Sequence, residues 1–339
     1  MSITAKELAE RLGLSQAAVS LALNNRPGVS SATRKQVLET ARELGYDFSR
    51  KALSDHQHKG TLCLIIYRKS GAVVDNTPFF SALTDGVSIG CKRGGYDLVL
   101  RYLYEDEDVA YQLQVIRTAG FSGLLVLATE MDEASLSAFS HLALPEALPM
   151  VVLDAHFEKL HLDSVSIDNV QGAYLAALYL INRYHVQPGY LRSAYAIANF
   201  TERADGFYKA IRAKGLSPSQ SLVHSLTPSE EGAYSDMRQL LLSGETPARC
   251  YFADNDLIAV GAMRAFKEAG YRIPEDVAVI GFDDLPVAQY FDPPLSTVEV
   301  PKNYLGETAA GRLIQVIEEK NTLPLKIQVQ VKLKKRKSV

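Results

Sequence analysis

The sequence predicts an α/β protein in which an N-terminal three-helix helix-turn-helix domain precedes two lobes, each with a doubly wound parallel sheet. Three observations support this prediction. Short helical patterns fill residues 1–46, a polar stretch without strong periodicity covers 47–60, and from Thr61 short apolar runs alternate with amphipathic stretches. Such alternation is typical of βαβ units, whose strands are parallel. We therefore expect a head (1–46), a linker (47–60) and a larger domain (61–339).

Composition narrows the class of protein. The 339 residues are 47% hydrophobic and 22% charged, which is typical of a soluble multidomain chain. No apolar run reaches the roughly 20 residues that span a bilayer, so we expect a cytoplasmic protein without membrane contact. Cys63, Cys91 and Cys250 are too few and too far apart for a disulfide framework or a metal cluster. No metal and no cofactor is expected.

Charge is unevenly distributed along the chain. The net charge is −3, but residues 1–51 contain eight basic and five acidic side chains. This segment therefore carries +3 and the remainder −6, so a small basic head precedes an acidic body.

The head begins with two short helices. Thr4 and Glu7 have the spacing of a capping box, in which each side chain accepts from the other residue's backbone N–H. Gly13 can end the first helix in a left-handed conformation, Ser15 can cap the second, and 24–28 (Asn-Asn-Arg-Pro-Gly) stops it. Ser30 or Ser31 can cap a third helix that Gly45 closes. Three helices in this order predict a helix-turn-helix unit whose second helix can enter a DNA major groove, although any three-helix bundle shows the same apolar stripes.

The order of residues in the head resembles one known family. The stretch from Leu8 to Asn24, with Val29-Ser30, Thr33-Arg34 and Leu44-Gly45-Tyr46 after it, is similar to the head of LacI/GalR repressors. The resemblance implies DNA contacts at Thr4, Ser15, Gln16, Ala17, Ser20, Leu21, Asn24, Arg26, Thr33, Arg34 and Leu53. Gln16 and Ala17 then meet base edges, where Gln can read adenine and Ala a thymine methyl. Leu21 replaces a usual Arg or His, so we expect fewer hydrogen-bonded bases and more dependence on phosphates and DNA shape.

The linker departs from the family pattern. In the family a leucine from each subunit inserts into the minor groove at this stretch. Leu53 falls about two positions early, and Asp55 occupies the expected region. Either the hinge is therefore shifted in register, or it couples to DNA differently. His56 and His58 are interpreted as solvated rather than metal-binding, because no partner cluster accompanies them.

The larger domain is predicted to consist of two α/β lobes in tandem. Strands are predicted at 61–67, 96–101, 123–128, 150–153, 190–197, 222–226, 249–253 and 277–282, with helices at 79–92, 108–119, 132–139, 169–184, 202–213, 230–242, 257–269 and 303–318. The first lobe is predicted at about 61–164 and 296–320, and the second at about 165–292 and 321–339. Open parallel sheets bind ligands at the carboxyl ends of their strands, so a ligand should lie between the lobes.

This domain also resembles the LacI/GalR family, whose sensor is similar to a periplasmic sugar-binding protein. The resemblance rests on Pro78-Phe79-Phe80, Val152-Leu153-Asp154, Arg203-Ala204-Asp205-Gly206-Phe207, Asp254-Asn255-Asp256 and Gly281-Phe282-Asp283-Asp284. It implies effector contacts at Phe79, Phe80, Asp154, Arg203, Asn255 and Asp283. Arginine and carboxylates suit paired hydroxyls, and an aromatic face packs on a sugar ring.

Each of these residues also has a structural interpretation. Asp254 or Asp256 can cap a helix, Arg203 can pair with Asp205 or Glu202, and the Asp283-Asp284 pair can shape a turn.

The chain departs from the family at the pocket wall. Tyr184-His185, Ala198-Asn199-Phe200 and Thr227 stand where the family usually has Gly-His, glycines and an aromatic. The effector is therefore expected to be a carbohydrate or related metabolite other than a common hexose, and a nucleobase stays open.

Together these features predict a ligand-responsive transcription repressor, not an enzyme. We expect a homodimer on a near-palindromic operator, with the first-lobe helix near 79–91 in the dimer interface and allosteric control by the effector. An enzyme would use the same cleft, but no Ser-His-Asp order, phosphate-binding Gly loop or metal-ligand spacing supports it. The alternatives are a regulator switched by a protein partner or a corepressor such as a nucleobase, and a cytoplasmic sugar-binding protein.

Overall fold

The computed structural model describes residues 3–23, 28–46, 58–75, 77–143, 148–319 and 323–339. The chain divides into two compact units, residues 1–59 and 60–339. Among the described residues, no helix combines the length and the apolar character needed to cross a membrane.

The N-terminal unit contains three helices, α1 (Ala5–Leu12), α2 (Gln16–Leu23) and α3 (Ser31–Glu43). The predicted capping box is present, because Thr4 N donates to Glu7 Oε2 at 2.7 Å and Glu7 N donates to Thr4 Oγ1 at 3.3 Å. Gly13 ends α1 with φ 63°. The buried core of this unit is small and consists of Leu8, Ala9, Val19, Ala22, Val37 and Ala41.

The second unit begins with a six-stranded parallel sheet. Its strands are β1 (Gly60–Arg68), β2 (Tyr96–Tyr104), β3 (Gly123–Leu127), β4 (Met150–Leu153), β5 (Asp163–Ile167) and β11 (Lys326–Val329), in the spatial order β11-β5-β4-β3-β1-β2. Helices α4 (Phe79–Gly94), α5 (Val109–Thr118), α6 (Glu133–Ala143) and α12 (Lys302–Glu319) accompany it. We call this sheet with its helices the first lobe.

A second six-stranded sheet forms the second lobe. Its strands are β6 (Gly189–Ser193), β7 (Val223–Leu226), β8 (Cys250–Ala253), β9 (Ala278–Asp283), β10 (Ser296–Glu299) and β12 (Lys332–Lys334), in the order β12-β10-β9-β8-β6-β7. All pairs are parallel except β10 with β12. Its helices are α7 (Asn169–Tyr184), α8 (Ala198–Ala213), α9 (Glu230–Leu242), α10 (Asp256–Glu268) and α11 (Pro286–Tyr290), with a 3-10 turn at Pro218–Gln220.

Two strands belong to the opposite lobe from the one predicted. Residues 296–299, predicted in the first lobe, form β10, in which Ser296 pairs with Ile280 of the second sheet. Residues 326–329, predicted in the second lobe, form β11, in which Lys326 pairs with Ser164. The chain therefore crosses between the lobes after β5, after β10 and after β11. These strands have only four residues each, too few for periodicity to indicate which sheet they join.

Two strand ends were also wrong, and one of these strands, predicted at 96–101, extends to Tyr104. The strand predicted at 190–197 ends at Ser193, and α8 begins at Ala198 rather than at 202. Ser193 Oγ donates to Tyr195 O at 2.9 Å and accepts from Tyr195 N at 3.0 Å. Such a local side-chain turn competes with the sheet ladder and ends the strand.

Helices α4 and α12 of the first lobe pack closely through glycines. A Cβ added at Gly86 would lie 2.1 Å from Asn303 O, and one at Gly306 would lie 2.2 Å from Leu83 O. No side chain larger than hydrogen fits at these two positions without moving backbone, so the two helices have a defined register.

Candidate functional site

All six residues predicted to contact an effector line one pocket between the lobes. Its walls are Val73, Thr77, Phe79, Phe80, Thr129, Asp154, Ile197, Asn199, Phe200, Arg203, Asn255 and Asp283. Thr129, Asp154 and Asn255 each follow a strand closely, and Asp283 ends one. The pocket thus lies at the carboxyl ends of the parallel strands, as expected for open α/β sheets.

Arg203 is the central cation of this pocket. Its side chain is 4% exposed; Nε donates to Asn169 Oδ1 at 2.9 Å, Nη1 to Asp254 O at 2.5 Å, and Nη2 to Asp283 Oδ1 at 3.1 Å. The guanidinium carbon lies 3.8 Å from the centroid of the Phe282 ring. Arg203 therefore pairs with Asp283, 80 residues away, and not with its chain neighbours Glu202 or Asp205.

Asp154 faces the pocket from the first lobe. Thr129 Oγ1 donates to its Oδ2 at 2.7 Å, whereas its buried Oδ1 accepts no hydrogen bond from any residue that the structure describes. Burial raises the pKa of Asp154 to about 7, although the hydrogen bond from Thr129 and the charge of Arg203 act in the opposite direction. The carboxyl is thus poised between its neutral and charged forms near neutral pH.

The raised pKa of Asp154 predicts a pH-dependent stability. A carboxyl whose folded-state pKa lies above the ordinary 3.8 costs nothing at about pH 4 and progressively more as the pH rises to about 7. We expect Asp154→Asn to raise the free energy of unfolding by about 2 to 3 kcal/mol at about pH 8, and by little at about pH 4. Urea unfolding at both pH values measures this, with the exposed Asp205→Asn as the control. An equal gain at the two pH values would contradict it.

A chain of amides links Asp154 to Arg203 across the lobes. Asn199 Nδ2 donates to the backbone oxygen of Asp154 at 3.0 Å, and Asn169 Nδ2 donates to Glu202 Oε2 at 2.9 Å and to Asn199 Oδ1 at 3.3 Å. His156 Nδ1 lies 3.4 Å from Glu202 Oε1, and burial raises the pKa of Glu202. The hydrogen bond from Asn199 to Asp154 and the contact between His156 and Glu202 therefore join the two lobes.

The acidic residues around Asn255 have structural roles. Asn255 itself caps α10, since Ile258 N donates to its Oδ1 at 2.9 Å. Asp254 accepts hydrogen bonds from Tyr190 Oη and from Ser193 N, the latter at 2.6 Å, and burial raises its pKa to about 6. Asp256 accepts from Leu285 N and Thr297 Oγ1. The predicted helix cap therefore belongs to Asn255, not to either aspartate.

Asp283 and Asp284 form a strained turn at the end of β9. Both have positive φ, 102° and 50°, which is uncommon for residues other than glycine. The Asp284 carboxylate contacts Lys334 at 2.8 Å and Arg336 at 2.5 Å; burial raises its pKa, but these two cations outweigh burial, so the pKa is lowered. Lys302 holds the backbone of the turn from the first lobe.

Glu130 orders the loop that carries Val73 into the pocket. Its Oε2 accepts from the backbone N–H groups of Lys69, Ser70 and Gly71 and its Oε1 from those of Val73 and Val74, at 2.9 to 3.1 Å. Burial raises the pKa of Glu130, but these backbone donors outweigh burial and lower it overall. The loop is therefore built around one buried carboxylate.

The sequence did not identify six of the pocket residues: Val73, Thr77, Thr129, Ile197, Asn199 and Phe200. Asn199 and Phe200 lie in the stretch 198–200, and its departure from the family pattern was the one feature of the sequence that could have indicated them. Thr129 follows β3 at the same sheet edge as Asp154, so strand ends could have indicated it.

The predicted DNA-contacting residues lie mostly at helix beginnings in the N-terminal unit. Gln16 and Ala17 are exposed at the start of α2, and Ser20 and Leu21 are half-buried one turn later. Leu21 Cδ1 lies 3.0 Å from the position of a Cβ on Gly28, so this leucine packs against Gly28. Ser20 and Leu21 thus have less exposed surface for a contact with DNA than Gln16 and Ala17.

Two further predicted contacts, Thr4 and Ser15, cap helices, and a third, Thr33, contacts a capping residue. Thr4 caps α1; Ser15 Oγ accepts from Ala18 N at 3.1 Å; and Thr33 Oγ1 lies 2.7 Å from the Ser30 hydroxyl that caps α3. Arg34 is half-buried on α3. The predicted contacts Asn24, Arg26 and Leu53 lie outside the described residues.

No group of three or more His, Cys, Asp or Glu side chains with metal-binding geometry occurs among the described residues. The pocket contains one arginine paired with one aspartate, plus a second aspartate whose pKa is about 7. Its groups can hold hydrogen-bonding ligands without attracting a strong net charge.

Comparison with known proteins identifies two regions of the chain. Residues 4–48 match bacterial regulatory proteins of the lacI family, and residues 177–339 match the periplasmic binding protein-like domain. The HTH-type transcriptional repressor PurR of Pasteurella multocida (strain Pm70) is 30% identical over 339 residues, covering 99% of this chain and 98% of that protein. PurR of Escherichia coli O139:H28 (strain E24377A / ETEC) is 32% identical over 342 residues, covering 99% and 96%.

Solved structures share the fold over the whole chain. A complex of the transcriptional regulator CelR with cellobiose has 25% identity and a TM-score of 0.74, covering 99% of this chain and 100% of that one. The lac repressor dimer bound to operator and the anti-inducer ONPF has 24% identity and a TM-score of 0.71, covering 100% and 99%. The predicted fold class, a helix-turn-helix head with two parallel-sheet lobes, is confirmed.

Proposed function

Because the chain belongs to the lacI family of bacterial regulatory proteins, it is a DNA-binding transcriptional repressor with an effector-binding domain rather than an enzyme, and we propose that a small, uncharged, polar molecule between its lobes controls its operator affinity. The observation that carries this proposal is the buried Oδ1 of Asp154, which accepts no hydrogen bond from any described residue and lines the same pocket as the Arg203–Asp283 pair. A ligand hydroxyl or amine would satisfy that oxygen.

The residues that line the pocket support a carbohydrate or a nucleobase as the effector. Phe79, Phe80 and Phe200 provide aromatic walls for a sugar ring or a planar base. The CelR relative, in complex with cellobiose, supports the carbohydrate candidate. Pairing of Arg203 with Asp283 disfavours a strongly anionic ligand.

The nucleobase is the second candidate. It is favoured by the neutral form of Asp154, which offers both a donor and an acceptor to a base edge.

We propose that the repressor is a homodimer whose first lobes meet through α4 and the edge strand β2. Three large apolar side chains there are exposed in the single chain, Ile89 at 42%, Leu100 at 41% and Tyr102 at 48%. Exposed apolar side chains on this helix and edge strand support a contact with another protein surface. Two heads would then bind the half-sites of a near-palindromic operator in the cytoplasm.

The proposal is tested by fluorescence anisotropy of the full chain on duplexes selected from a random palindromic pool. We expect salt-sensitive binding that one additive from a panel of monosaccharides, cellobiose and the common nucleobases shifts by about tenfold. Gln16→Ala should weaken binding to the selected site by about 1 to 3 kcal/mol, because it removes a base-reading side chain.

The variants Gln16→Ala and Lys6→Ala separate specific from nonspecific binding. Lys6 is an exposed cation on α1, outside the predicted contact set, and its removal should leave discrimination between the selected and a scrambled duplex unchanged. Equal binding to both duplexes by the unaltered chain would refute operator recognition. Absence of a shift with every additive would refute the effector classes proposed.

A further inference from the structure

Lys302 connects the two lobes beside the effector pocket without lining it. It is the first residue of α12 in the first lobe, and its Nζ donates to the backbone oxygens of Asp283 at 2.5 Å and Asp284 at 3.2 Å in the second lobe. A third contact joins it to Val300 O at 3.4 Å. The three N–H groups of the ammonium therefore have three carbonyl acceptors, and the side chain is half-buried.

The acceptors of Lys302 belong to the strained turn at the end of β9. Positive φ at two consecutive residues needs support from the surrounding structure. The side chains of this turn are held within the second lobe, since Asp283 accepts from Arg203, and Asp284 accepts from Lys334 and Arg336. Lys302 adds a charged donor from the other lobe, and its target is the backbone that aims the Asp283 carboxylate at Arg203.

The other end of the connection is α4. Lys302 Nζ lies 5.7 Å from the centroid of the Phe79 ring, and Phe79 begins α4 and lines the pocket. One residue after Lys302, Asn303 O would be only 2.1 Å from a Cβ on Gly86, so α12 and α4 are in backbone contact here. A displacement of Lys302 cannot be absorbed by loose packing between these helices.

We propose that Lys302 is a positioning residue for effector control, which couples the Asp283–Asp284 turn on the second-lobe wall of the pocket to the first turn of α4 on the first-lobe wall. It acts through Asp283 and Phe79, not through the ligand. The role in effector control rests on the proposed function, whereas the coupling itself is a property of the folded chain and is tested without DNA or effector.

The test is amide hydrogen exchange on the full chain with Lys302→Met. Two pairs of amides report on the two ends of the connection: Asp284 N and Leu285 N in the turn, and Phe79 N and Ala82 N at the start of α4. We expect both pairs to exchange about tenfold faster than in the unaltered chain, because a charge-assisted donor is lost. Lys302→Arg should restore protection at both, since it keeps a charged donor.

Lys267→Met is a matched control. Lys267 Nζ also donates to a backbone oxygen, Asp292 O at 2.7 Å, and lies 5.8 Å from the Phe291 ring, but it lines no part of the pocket. Lys267→Met should leave the exchange rates of both pairs of amides unchanged. If Lys302→Met does not fold, Lys302→Gln, which keeps one donor group, replaces it.

Three results would overturn the proposal. Faster exchange in the turn alone would make Lys302 a cap of that turn and nothing more. Unchanged exchange at both pairs of amides would show that Lys302 does not connect the turn with α4. Faster exchange across both sheets would reveal global destabilisation instead of coupling. None of these results bears on whether a sugar or a base is the effector, so failure here is distinguishable from failure of the proposed function.

Discussion

Replacing Arg203 with methionine is expected to lower the free energy of unfolding by about 3 to 5 kcal/mol, because three buried acceptors lose their donor at once. The Asp283 carboxylate, the Asn169 amide oxygen and the Asp254 carbonyl all accept from this guanidinium. Methionine fills similar volume but donates nothing, so the Asp283 charge stays buried without its partner. Urea unfolding followed by circular dichroism measures the change, and the same variant should lose the response to the effector.

The controls for this prediction lie on the same residue and the same helix. Arg203→Lys keeps the charge but not the planar fork, and should cost about 1 to 2 kcal/mol. Arg212→Met removes an exposed arginine of α8 and should change stability by less than about 0.5 kcal/mol. A loss in Arg203→Met no larger than that in Arg212→Met would contradict the network described around Arg203.

Gly306→Ala is expected to destabilise the chain by about 3 kcal/mol, because its new methyl group would collide with backbone atoms of α4. The added Cβ would lie 2.2 Å from Leu83 O and 2.6 Å from Val87 N. Backbone in the middle of a helix cannot move aside alone, so α12 and α4 would have to separate and expose apolar surface between them. Thermal unfolding of the full chain measures the loss.

Gly311→Ala is the matched substitution on the same helix. No atom lies within 4 Å of an added Cβ at Gly311. Alanine is the better helix former, so this variant should gain up to about 1 kcal/mol. The two alanines therefore have opposite expected signs. The same sign in both variants would mean that helix propensity, rather than the spacing of α12 and α4, governs these positions.

The pocket could be located from the sequence to a large extent, for a physical reason. Some of its residues follow strand ends or begin helices, and both positions are indicated by where an apolar run stops and a polar residue or a cap follows. Asp154 and Asn255 lie at such positions, after β4 and β8. The choice of all six effector-contact residues nevertheless came from the family resemblance, including Phe79, which begins α4, and Arg203 within α8. That these residues bind an effector stays a prediction.

The contacts that hold the pocket together could not be predicted. Glu130 meets the loop 69–74 from about 60 positions away, and Lys302 meets Asp283 from 19 positions away. No periodic pattern in the sequence indicates either contact, because each depends on how the sheets and helices are arranged in the folded chain. The short strands β5, β10 and β11 were missed or assigned to the wrong lobe for the related reason that their pairing is decided by distant strands.

The alternation of the chain between the lobes determines when each lobe can be completed during protein synthesis. Strand β11 closes one edge of the first sheet and β12 one edge of the second, and both come from residues 326–334. A nascent chain ending at residue 320 would contain strands β1 to β10 of the described part of the chain but would lack the last strand at one edge of each sheet. The edges of β5 and β10 would then be exposed, and exposed edges invite association with other chains. Both lobes are therefore completed only by residues 326–334, and truncation before residue 326 would leave both incomplete.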